Sequence, residues 1–201
     1  MVNKQYSFFA FLSRMRQISR WSLMRNTEPE NVQEHSHQVA MLAHGLAVIR
    51  NRLFQGQLNP ERIALLALYH DASETLTGDL PTPIKYFSPQ ISNAYKDLEH
   101  IAQDRILAML PEALLKDYSA VFIYDEQSEE ASIIKAADRL SALLKCMEEE
   151  KNGNKEFQKA KVAIEKRLLE MCGENDEKMP EVRYFLNHFA KSFEMTLDEL
   201  N

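Results

Sequence analysis

Apolar residues recur in this chain at steps of three and four, block after block, and few helix breakers interrupt them. The stretch "NVQEHSHQVAMLAHGLAVI" places Val39, Leu42, Ala43 and Leu46 on one stripe. "PERIALLALYHDASETL" does the same with Ile63, Leu66 and Ala67, and "ASIIKAADRLSALLKCM" with Ile133, Ala137, Leu140 and Leu144. That period is the signature of helices buried along one face. Composition agrees, since 24 leucines stand against 7 valines and only 5 glycines are present, whereas strands select β-branched residues. The fold class read from these patterns is all-α, with helices expected over about 6–19, 31–50, 60–76, 88–110, 111–118, 127–150, 155–172 and 180–193. No repeat or long linker divides the 201 residues, so one continuous domain is expected.

Charge and cysteine usage narrow the functional classes. A net charge of −6 argues against a nucleic-acid polymer as partner, because such binding rests on many Lys and Arg contacts. No apolar run reaches the length that spans a bilayer, and "FFAFLSRMRQISRW" reads as an amphipathic helix rather than a signal peptide. Cys146 and Cys172 are isolated, which fits a reducing cytoplasmic setting and buried structural thiols.

Against this background several polar residues stand out. His35 precedes Val39 by one turn and so shares its inward face, while His37 and His44 project from roughly the opposite side. His70, Asp71 and Glu74 cluster at the charged end of the "IALLAL" run. Asp138 sits at the edge of the Ile133–Leu144 stripe, where an apolar or small residue belongs. Buried carboxylates need a counter-charge, many hydrogen bonds or a metal. Two imidazoles and two carboxylates facing inward suit Mn, Fe, Co, Ni or Zn better than Ca or Mg. Each group alone has an ordinary explanation: a core histidine, a chance His-Asp pair, a helix-end acid.

The pattern His35, "HD" at 70–71 and Asp138 resembles the HD-domain superfamily of metal-dependent phosphohydrolases, whose fold is a helical bundle. The longer matches "SRW" at 19–21, "EHSHQVAMLAH", "YHDASETLTGDLPTPIKYF" and "KAADRLSALLKC" are similar to the bacterial 5'-deoxynucleotidases over nearly the full chain. The resemblance implies one divalent transition metal ion (Co, Mn or similar) held by His35, His70, Asp71 and Asp138. Deoxyribonucleoside 5'-monophosphates would be the substrates and a homodimer the working form. By the same likeness Glu74 exchanges a proton with water or the departing 5'-oxygen. Asp79 lines the pocket with Leu80, Pro81 and Thr82, and the substrate also meets His35, Asp71 and Asp138. Arg20 is the natural phosphate partner, since a guanidinium pairs bidentately with phosphate oxygens. Trp21 is placed to pack on the sugar and exclude a 2'-hydroxyl. Lys85 reads as a solvated lysine, and His100, alone between the HD pair and Asp138, favours one metal over two.

Overall fold

The protein is described by a computed structural model covering residues 5–200. Its helices are α1 (Phe8–Leu12), α2 (Val32–Leu53), α3 (Pro60–Tyr69), α4 (Glu74–Thr77), α5 (Thr82–Lys85), α6 (Pro89–Leu107), α7 (Glu112–Phe122), α8 (Glu129–Lys151), α9 (Gln158–Cys172) and α10 (Pro180–His188), with 3-10 segments after α1, before α9 and after α10. Among the described residues there is no strand, and the only extended pairing recorded is an isolated bridge between Ser19 and Asn31. The all-α expectation holds. The chain falls into two compact units, one of residues up to Leu23, Pro29–Ser36 and Leu68–Tyr124, the other of Met24–Glu28, His37–Ala67 and the chain from Asp125 on.

The first unit is built around Phe8, Met15, Val32, Ala72, Ile106, Leu107, Leu110 and Phe122, all buried together. Aromatic edges lock it, with Phe8 against Tyr118 at 4.7 Å and Tyr69 against Phe122 at 5.6 Å between ring centroids. Tyr69 and Ala72 flank the His70–Asp71 pair. The two titratable groups therefore hang between two packed anchors and have little freedom to swing.

Two expected helices are shorter than their periodicity suggests. The 6–19 helix is α1 followed by a 3-10 turn at Ser13–Gln17, and the chain then extends at Ile18. There Val32 N donates to Ile18 O and Arg20 N to Glu30 O, each at 3.0 Å, so Arg20 and Trp21 lie on a paired extended strip, not at a helix end. The 60–76 helix stops at Tyr69 and resumes as α4. Between them the backbone tightens to three-residue bonds, from Ala72 N to Tyr69 O and from Glu74 N to Asp71 O, both 3.0 Å. Three-residue winding eclipses side chains at i and i+3, which aligns Asp71 with Glu74. Gly78 ends α4 at φ +73°, a conformation glycine adopts without the Cβ penalty.

In the second unit α8 packs on α9, and α9 on α10. Leu140, Leu143, Leu144, Leu168 and Val182 from these helices are buried. Its most polar feature is Glu149, wholly buried near the end of α8. The carboxylate accepts from Thr27 N, Thr27 Oγ1, Glu28 N and Asn154 Nδ2 at 2.7–3.1 Å, and from Lys145 Nζ. These bonds pin Met24–Glu28, the stretch of chain between Trp21 and Glu30. Cys146 and Cys172 are both buried and outside any disulfide, as their isolation suggests.

Candidate metal centre

His35 occupies the first turn of α2 and is 1% exposed, because the helical period that buries Val32 and Val39 carries it inward. His37 and His44 are exposed, on the side expected of them, and His100 is exposed on α6. His70 and Asp71 sit in the tightened turn after α3, both half-buried. The His35 and His70 rings lie 5.4 Å apart. Both aim Nε2 at one oxygen: His35 Nε2 is 3.5 Å and His70 Nε2 is 3.2 Å from Asp71 Oδ2. Arg20 reaches the same oxygen through its NH1 nitrogen at 3.4 Å.

Burial raises the Asp71 pKa, but the opposing pull of His70, His35 and Arg20 is stronger, and the net shift is downward. Asp71 is therefore an anion throughout the neutral range. Two imidazole nitrogens and one ionised carboxylate oxygen converge within a few ångströms, and this donor set fits a divalent transition ion. Asp138 stands half-buried on α8, in the second unit, one position beyond the buried Ala137.

Glu74 opens α4 and is 6% exposed, and its Oε2 is buried with no hydrogen-bond partner among the described residues. Burial first, then the negative charges of Asp71 and Asp79, push its pKa up to about 10, against the weaker pull of Arg20 and Lys85. The group carries a proton at neutral pH. Asp79, in the turn after Gly78, is also raised by burial and by Asp71 and Glu30, with Arg20 and His35 opposing. It thus feels the same cluster of charges. Leu80 and Pro81 follow half-buried, and Thr82 begins α5 exposed.

Lys85 differs from its expected solvated state. Its Nζ donates to Glu99 at 2.9 Å and sits 4.6 Å from the centre of the Tyr95 ring. The periodicity of α6 brings Glu99 and Tyr95 to one face, which the residues around Lys85 alone do not reveal.

One residue escapes the sequence reading altogether. Glu30 Oε2 accepts from Trp21 Nε1 at 2.8 Å and from Arg20 Nε at 3.4 Å, and Oε1 lies 3.8 Å from His35 Nδ1. In sequence it reads as one more acid ahead of a helix N-terminus, a place where acids are common. Only the pairing of Ser19 with Asn31 turns it toward "SRW". Trp21 itself has φ +58°, a left-handed conformation that costs a non-glycine residue about 1–3 kcal/mol and persists only where neighbours enforce it.

These features agree with what the chain is similar to. A family model described as "5'-deoxynucleotidase YfbR-like" matches residues 7–193. A 5'-deoxynucleotidase from Vibrio parahaemolyticus is 51% identical over 199 residues, covering 98% of this chain and 100% of the relative. One from Pectobacterium atrosepticum is 54% identical, covering 98% and 96%. Among solved structures, an HD-domain phosphohydrolase from Listeria innocua aligns with TM-score 0.79 at 22% identity, covering 93% of this chain and 88% of that one. A cyanophage S-2L HD phosphohydrolase, solved bound to dA and one catalytic Zn2+ ion, aligns with TM-score 0.63 at 20% identity, covering 94% and 99%. The structural likenesses establish the HD phosphohydrolase fold, and the full-length family match establishes the lineage: the chain belongs to the 5'-deoxynucleotidase YfbR-like family.

Proposed function

We propose that the protein is a metal-dependent 5'-deoxynucleotidase. It hydrolyses deoxyribonucleoside 5'-monophosphates to deoxyribonucleosides and phosphate, with little base preference and against ribonucleotides. The observation that carries this reading is the convergence of His35 Nε2 and His70 Nε2 on Asp71 Oδ2 in a chain of this family. His35, His70 and Asp71 would hold one divalent ion, Co, Mn or similar, with Asp138 of α8 as the fourth ligand. When bound, that ion supplies Lewis-acid chemistry, lowering the pKa of water and drawing charge from phosphate oxygens.

The chain's own groups do the rest. Arg20, held by Glu30 and Asp71, presents guanidinium N–H groups to the phosphate. Glu74 holds a proton on its buried carboxyl and gives it to the 5'-oxygen as the P–O5' bond breaks. Water supplies the new P–O bond and its protons leave with phosphate. One of them returns through solvent to Glu74, restoring the acid. Asp79, with Leu80, Pro81 and Thr82 beside it, lines the substrate side. The flat indole of Trp21 packs against C2' of the sugar, where an added hydroxyl clashes and loses its water.

No helix among the described residues is long and apolar enough to cross a membrane, and two buried cysteines outside any disulfide fit a reducing compartment. By family likeness the reading also includes a cytoplasmic location and a homodimer, and light scattering on the purified protein checks the latter.

The test is a panel of matched ribo- and deoxyribonucleoside mono- and triphosphates, with phosphate, pyrophosphate and triphosphate measured as products. Phosphate from all four deoxy-monophosphates, and little from the ribo set, supports the assignment. Equal cleavage of the ribo and deoxy partners refutes the sugar gate, and pyrophosphate or triphosphate as the main product refutes the substrate class.

A further inference from the structure

We propose that Glu30 is a positioning residue, one carboxylate outside the donor set that holds the indole of Trp21 by a hydrogen bond and sets its other oxygen against the ring of His35. Discrimination at the sugar and affinity for the metal would then depend on the same side chain. The inference rests on the proposed function, in which Trp21 gates the sugar and His35 is a ligand.

Glu30 is placed for both tasks by independent contacts. Its Oε2 takes the Trp21 Nε1 proton at 2.8 Å and faces Arg20 Nε at 3.4 Å, while Oε1 faces His35 Nδ1 at 3.8 Å. Its main-chain oxygen accepts from Arg20 N at 3.0 Å. Glu30 therefore grips Arg20 and the indole of Trp21, next to the strained Trp21 backbone, whose φ of +58° relaxes unless held. Its side chain is 13% exposed, so it is no solvated surface acid.

The plainer role for an acid just ahead of α2, capping that helix, is already filled. Asn31 Oδ1 accepts from Gln33 N and Glu34 N at 3.1 and 3.0 Å. Opposite His35, an anion at Nδ1 favours the tautomer that keeps the proton there. That leaves the Nε2 lone pair aimed at Asp71, the arrangement that metal-binding histidines require. At 3.8 Å from Nδ1 the carboxylate lies beyond hydrogen-bond reach and acts on His35 through charge alone, so its loss should weaken metal affinity by no more than the lower end, about 10-fold, of what a hydrogen-bonded partner contributes.

The experiment compares Glu30→Gln, Glu30→Ala and the exposed control Glu61→Gln, each first verified as folded by circular dichroism. Trp21 is the only tryptophan, so acrylamide quenching of intrinsic fluorescence in metal-free protein reads its release directly. Co2+ affinity by chelator competition and the absorption bands of the cobalt-loaded protein read His35. Glu30→Ala should expose Trp21 to quencher, weaken Co2+ binding by up to about 10-fold and shift the cobalt bands. It should also narrow the deoxy-to-ribo ratio of kcat/KM, and Glu61→Gln should change none of these. A folded Glu30→Ala protein with unchanged quenching and unchanged Co2+ affinity overturns the proposal. Should that variant not fold, the isosteric Glu30→Gln replaces it, and unchanged quenching and Co2+ affinity there overturn the proposal equally. Absence of phosphatase activity in the unmodified protein would instead sink the substrate reading, while the quenching and cobalt measurements would still test Glu30.

Discussion

Glu74 is the residue whose state decides the direction of proton transfer. Burial next to Asp71 and Asp79 raises its pKa, and in the proposed reading this makes it a donor to the leaving oxygen rather than an acceptor from water. Glu74→Gln keeps the volume and removes the acid. We predict that it retains its metal, measured by mass spectrometry of the native protein, and loses about 10²–10⁴-fold in kcat. Loss of the metal in that variant would make Glu74 a ligand and require another acid. Trp21→Ala should raise kcat/KM for ribonucleoside monophosphates relative to deoxy substrates, while Arg20→Ala should weaken both alike. A Trp21→Ala protein with the original ratio would remove the indole from the sugar gate. Sequence spacing alone is enough to single out His35, His70, Asp71 and Glu74, because their register follows from helical period. Glu30 is illegible in sequence, because its role comes from the pairing of chain around Asn31, which no local pattern encodes. The state of Lys85 is hidden for a similar reason, its partner Glu99 lying fourteen residues away.

At the scale of elements, the informative departures are interruptions of helices. Periodicity runs unbroken through 60–76, yet the backbone tightens after Tyr69, since Tyr69 and Ala72 both pack into the first unit's core. Apolar spacing reports which residues are inside, but α and 3-10 winding bury similar sets over so short a stretch. The Glu149 clamp is another element-level device, a buried charge answered by Lys145, Asn154 and the 24–28 turn. After burial, which opposes it, these hydrogen bonds hold the carboxyl at about 2, below its ordinary 4.5. A carboxyl with a depressed folded pKa stabilises the fold above its unfolded pKa and loses that contribution as pH falls toward the folded value. Glu149→Ala should therefore cost about 3–5 kcal/mol near pH 7, since it leaves Lys145 buried beside no carboxylate. In denaturant melts the gap between variant and unmodified protein should shrink as pH drops from about 5 to about 2. A gap independent of pH across that window would mean that packing, not charge, makes the clamp.

For the whole molecule, a leucine-rich composition with few glycines, a family match over residues 7–193 and the structural likenesses all point to one architecture, the HD fold. In the proposed reading His35, the adjacent pair His70 and Asp71, and Asp138 bind a single ion on which all phosphate release depends. The most direct measurement takes purified protein, strips it with chelator, and titrates Co2+ or Mn2+ back while metal content and phosphate release from a deoxyribonucleoside 5'-monophosphate are followed together. The stripped protein should be inactive. Activity should return in proportion to bound metal and level off at about one ion per chain, and His70→Ala should neither bind nor recover. Full phosphate release by the stripped protein, or undiminished metal binding and activity in His70→Ala, would contradict the account.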